Sequence, residues 1–86
     1  MGYEKRQHSR IPLATRVRIH HDSIGELILR TRDLSHGGLF VYRDQHRLPP
    51  VGTVVEVQVQ DTPEEAPIVA MVIVREDDEG VGMQFC

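Results

Sequence analysis

Strict two-residue alternation runs through most of this chain and leaves little room for anything but β-structure. "TVVEVQVQ", residues 53–60, sets Val55, Val57 and Val59 against Glu56, Gln58 and Gln60. "TRVRIH" sets Thr15, Val17 and Ile19 against Arg16, Arg18 and His20, and "ELILRTR" sets Leu27, Leu29 and Thr31 against Ile28, Arg30 and Arg32. Side chains alternate faces along a strand, so each run offers one apolar and one polar face. "LFVY" and "GVGMQF" continue the pattern, the latter with Val81, Met83 and Phe85 opposite Gly82 and Gln84. "IVAMVIVR", residues 68–75, is apolar on both faces, as a doubly covered strand would be. No stretch holds the i, i+3, i+4, i+7 spacing of an amphipathic helix.

The six runs are separated by "HDSIG", "DLSHGG", "RDQHRLPPVG", "DTPEEAP" and "EDDEG", all rich in turn formers. Six short strands with regular turns predict an antiparallel barrel or sandwich, and closure would protect edges that a flat sheet exposes. At 86 residues the chain fits one domain with a thin core. It has no Trp, and Tyr3, Phe40, Tyr42 and Phe85 are its aromatics, so Val, Ile and Leu must supply most of that core. Met71, Met83 and Phe85 are its larger candidates. In an up-and-down arrangement, "DLSHGG" and "DTPEEAP" fall at the end where the first strand begins, which is where the N-terminal segment enters.

A formal net charge of −3 hides a polarity, with residues 1–10 carrying +2 and the remainder −5. The acidic body argues against a DNA or RNA binder that needs a broad positive face. Nine of the ten basic residues are Arg, whose fork suits phosphate or guanine better than Lys does. Cys86 is the only cysteine, so no internal disulfide forms, and a lone thiol suits a reducing compartment. The charged start shows no signal peptide, and the longest apolar run, "IVAMVIV", is too short to span a bilayer. The expectation is a cytoplasmic protein with no membrane insertion. His20, His21 and Asp22 have no second pair at metal-ligand spacing, and Ser35 followed by His36 is not a dyad. Neither a metal site nor an enzyme is expected, and "EDDE", residues 76–79, reads as a solvated loop.

Two polar motifs stand out. In "RQHSR", Arg6 and Arg10 are four residues apart, so an extended chain lets both guanidiniums face one object. In "DLSHGG", the Asp33 carboxylate can accept from two adjacent donors such as guanine N1 and N2, and the Ser35 hydroxyl can donate or accept. Gly37 and Gly38 let a ligand approach the backbone. Taken singly, the first motif also reads as a solvated basic terminus and the second as a capped turn.

Together, in this order on an all-β chain, RxxxR followed by DxSxxG resembles the PilZ domain family, bacterial receptors for cyclic di-GMP. The likeness extends through "LPPVGTVVEVQV" and "GVGMQF" and covers about residues 4–86. The resemblance implies an all-β fold, a small six-stranded antiparallel β-barrel over residues 12–86 with a flexible basic N-terminal arm over residues 1–11. It implies that Arg6 and Arg10 clamp the guanine and phosphates of cyclic di-GMP, that Asp33 and Ser35 read a guanine edge, and that Gly38 keeps the loop tight. Lys5, just before the first Arg, would add a phosphate contact or stack on a base. The expected function is a cyclic di-GMP receptor or adaptor that needs no cofactor. Its arm would close over the ligand and so signal to an unidentified downstream protein. The other readings are a PilZ-like adaptor that works through protein contacts without the nucleotide, an oligonucleotide-binding barrel, and a hydrolase of the dinucleotide.

Overall fold

Alternation along each run becomes inside and outside in the folded chain. The computed structural model describes residues 11–12, 15–35 and 37–86. Its strands are β1 (Ile11–Pro12), β2 (Arg16–His21), β3 (Gly25–Ser35), β4 (Gly38–Tyr42), β5 (Val54–Val59), β6 (Val69–Glu76) and β7 (Gly80–Phe85). The sheet order is β1-β3-β2-β5-β6-β7-β4, and β4 pairs back onto β3, so the six longer strands close into an antiparallel barrel. The closed alternative is therefore realised, and all six expected runs are strands. Val17 and Ile19 of β2, Leu29 of β3, Leu39 and Val41 of β4, Val55 and Val57 of β5, Met71 and Ile73 of β6, and Val81 and Met83 of β7 fill the interior. Each fully buried aliphatic side chain contributes about 1.5–3 kcal/mol relative to exposure.

The strands are not joined as a simple meander. β4 and β5 lie opposite one another in the ring, and residues 43–53 cross the barrel end between them. Leu48 in this crossing is buried in the core and stops that end. Every neighbouring pair is antiparallel, so direction still alternates along the chain. The β3–β4 turn and the β5–β6 connection therefore share the end where β2 begins, as expected.

That end is tied by Asp61. Its carboxylate accepts from the Arg16 backbone N–H at 2.9 Å and from Arg16 Nη2 at 2.9 Å, with Thr15 Oγ1 donating at 3.4 Å. The Arg16 side-chain bond, then its backbone N–H, hold the Asp61 carboxyl below its ordinary value. A carboxyl depressed in the folded state adds stability above its unfolded pKa of roughly 4 and loses it as pH falls through the folded value. Asp61→Asn is thus expected to lower the urea midpoint at pH 7 and to converge on the unsubstituted chain near pH 3. An equal gap at both pH values would show that the carboxylate charge is not what ties this end.

Three sequence expectations are corrected. Phe85 is 51% exposed and not a core residue. It is the last residue of β7, opposite the buried Met71, and its side chain is left half in solvent at the barrel end. β6 is not covered on both sides, since its Val74, like Ile68 just before it, is an exposed large hydrophobic. Finally, Asp33, Leu34 and Ser35 are not a turn. β3 continues through Ser35 and pairs with β4 in the register Asp33↔Phe40, Leu34↔Leu39 and Ser35↔Gly38.

Candidate functional site

Leu34 packs against the core, so its neighbours Asp33 and Ser35 sit on the outer side of β3. Two irregularities then shape the wall beside them. Thr31 pairs with Val41 and Asp33 with Phe40, which makes Arg32 an extra residue in β3. Ile73 pairs with Met83 and Arg75 with Gly82, which makes Val74 an extra residue in β6. Such bulges re-aim side chains and concentrate near functional sites. Since Phe40 also pairs with Gly82, the two bulges align Asp33, Phe40, Gly82 and Arg75 in one row across four strands. Ser35, Gly38 and Gln84 form the next row.

Neither Gly38 nor Gly82 raises a side chain, and a groove of about 570 Å³ runs over them, lined among others by Asp33, Ser35, Gly37, Phe40, Arg75 and Gln84. The structure thus brings three of the sequence-predicted residues, Asp33, Ser35 and Gly38, to one groove. Lys5, Arg6 and Arg10, like His36, lie outside the described residues. The chain that follows them is placed, because β1 pairs Ile11 with Leu34 and Pro12 with Asp33. The same stretch of β3 is flanked by β1 on one side and β4 on the other.

The polar groups are already organised. Arg32 Nε donates to Asp33 Oδ2 at 3.0 Å and its Nη1 donates to Glu79 Oε1 at 2.7 Å. The Asp33 bond raises the Arg32 pKa above its ordinary value, with Glu79 adding to it. The Arg32 guanidinium stacks on the Phe40 ring at 3.8 Å, and that of Arg75 approaches the same ring at 5.4 Å. Leu39 and Val41 point into the core, so Phe40 points outward, yet it is only 1% exposed. Guanidiniums that cover an aromatic ring in this way are held flat and in place. The Ser35 hydroxyl donates to the Gly38 carbonyl at 3.4 Å, a weak bond that a ligand can replace.

Sequence reading missed Arg32, Phe40, Arg75 and Glu79. Phe40 was within reach, because "LFVY" with Leu39 and Val41 inside must turn Phe40 out. Arg75 depends on a bulge that period-two counting does not detect, and Arg32, which counting already puts outside, depends on one for its place beside Asp33. "EDDE" is also more than a solvated loop, since Glu76 accepts from Arg43 Nη2 at 2.6 Å, Asp77 accepts from the backbone N–H of Glu79 and Gly80, and Glu79 holds Arg32. Among the described residues no His, Cys, Asp and Glu cluster could hold a metal ion, and no helix is long and apolar enough to cross a membrane.

Comparison with known proteins agrees with this geometry. No curated protein matches the sequence. The family model described as PilZ domain matches residues 4–86, which takes in both polar motifs and every strand of the barrel. With nearly the whole chain matched and the arginine and Asp-Ser-Gly motifs in their family order, the chain belongs to the PilZ domain family.

Proposed function

We propose that this domain is a cyclic di-GMP receptor or adaptor of bacterial second-messenger signalling, acting in the cytoplasm without a cofactor and without catalysis. The observation that carries the reading is the pairing of β1 with β3. Arg10 precedes Ile11 by one residue, and Ile11 and Pro12 lie directly against Leu34 and Asp33. By chain continuity this pairing supports a ligand shared between the arginine motif and the Asp33–Ser35 lip. Cyclic di-GMP carries two phosphates and two guanines, so it calls for guanidiniums, a carboxylate acceptor and stacking planes. Asp33 supplies the acceptor, while Lys5, Arg6 and Arg10 supply the cations. Closure of residues 1–11 over the bound ligand would create or hide a surface for the downstream protein.

Titration calorimetry tests the reading directly. The chain is expected to bind cyclic di-GMP and to give no comparable heat with GTP or cyclic di-AMP. Arg10→Ala is expected to weaken binding by on the order of 2–4 kcal/mol, as for a charge-assisted contact in a partly dry site, with the barrel still folded. No heat with cyclic di-GMP would leave the adaptor that works through protein contacts alone.

A further inference from the structure

Arg75, which lines the groove, differs from Arg32, the other arginine over Phe40, in one respect. Arg32 is neutralised by Asp33 and Glu79, whereas among the described residues Arg75 makes no ion pair and no hydrogen bond. Acid is abundant beside it, yet most of that acid is engaged. Glu76 takes Arg43, Asp77 caps its own turn through two backbone N–H groups, and Glu79 takes Arg32. What holds Arg75 is shape. Its side chain crosses the strand where Gly82 has none, and a Cβ there would sit 3.1 Å from Arg75 Nε and 3.2 Å from its Cγ. The guanidinium is thereby led toward Phe40, with its donors free at the groove side.

We propose that Arg75 is a phosphate-holding residue of this groove, taking a phosphate of a cyclic dinucleotide at the side opposite Asp33 and Ser35. The assignment rests on the receptor reading above and extends it to a residue outside both sequence motifs. Three strand-to-strand steps separate Asp33 from Arg75 in their shared row, roughly 14 Å at the Cα positions, and the Arg75 side chain shortens that gap by reaching over Gly82. A ligand whose base is read by Asp33 and Ser35 thus has its next anionic group in the range of Arg75. A guanidinium whose donors are unused, and which feels Asp77 only through space, gains more from a phosphate than one already bonded to two carboxylates.

The test uses the full chain, cyclic di-GMP as the probe, and Asp33→Ala as the reference for the motif site. Arg75→Ala is expected to weaken binding about tenfold or more, with the barrel still folded although Phe40 loses part of its cover. It should also flatten the salt dependence of affinity, which a purely structural role would not do. Arg75→Lys should recover most of the loss, since a point charge serves a phosphate but not a stacked base. Gly82→Val keeps the charge but displaces it, and is expected to weaken binding as well. If the unsubstituted chain binds and Asp33→Ala fails while Arg75→Ala binds normally, this assignment falls and the receptor reading stands. If the unsubstituted chain does not bind, both fall.

Discussion

Gly38→Ala is expected to destabilise the barrel by about 3 kcal/mol or more, a large part of the stability of so small a domain. A Cβ at Gly38 would lie 1.8 Å from the carbonyl oxygen of Met83, 2.8 Å from its carbonyl carbon and 2.9 Å from the Cα of Gln84. All three are backbone atoms, so no side chain can turn aside, and β4 must move away from β7. That pairing runs from Gly38↔Gln84 to Tyr42↔Gly80 and is one of the two ladders that hold β4 in the closed barrel. Opening it breaks ladder hydrogen bonds and loosens Leu39, Val41, Val81 and Met83 in the core. The adjacent Gly37→Ala is the control, because nothing lies within 4 Å of a Cβ there. Urea unfolding of both variants decides it. Equal midpoints would mean that Gly38 is not what admits β4 to β7. The family motif thus contains at least one position that the fold itself requires, whatever the groove binds.

How much of this was legible in the sequence depended on whether parity survived. Where alternation is unbroken, as in β2 and β5, inward residues such as Val17, Ile19, Val55 and Val57 are assigned correctly by counting in twos. Where a bulge intervenes, counting fails by one. Val74 shifts Arg75 into the row of Gly82 and Phe40, and the both-faces-apolar look of "IVAMVIVR" gave no sign of it. In β3 counting places Arg32 outside correctly but, carried one residue on, would turn Asp33 inward, whereas the extra residue lets both face one side. Turn chemistry misled in a different way. Asp, Ser and two glycines in six residues imitate a loop, yet β1 and β4 supply ladder partners on both sides of Leu34 and keep the segment extended. Phe85 looked like core because its alternation with Met83 is sound. Position along the barrel, which a pattern does not encode, puts it at the end opposite the one Leu48 stops, where its side chain is left exposed.

Asp33→Ala is expected to cost on the order of 2–4 kcal/mol of cyclic di-GMP binding, roughly a 30- to 1000-fold loss of affinity. Two effects combine. The variant removes the acceptor proposed for guanine N1 and N2, and it releases Arg32 from one of its two carboxylates. Comparison of three variants separates them. Asp33→Asn keeps the size and one acceptor but presents an amide N–H₂ to a base edge that already donates, so its loss should approach that of alanine. Arg32→Ala leaves Asp33 in place and frees Oδ2, the oxygen that Arg32 now occupies at 3.0 Å, so its loss should be clearly smaller. Affinity measured for the set by calorimetry gives the ranking. Normal binding by Asp33→Asn would mean that charge and double acceptance at this position are not used, and the guanine would have to be read elsewhere in the groove. A larger loss in Arg32→Ala than in Asp33→Ala would move the main contact from the carboxylate to the guanidinium stacked on Phe40.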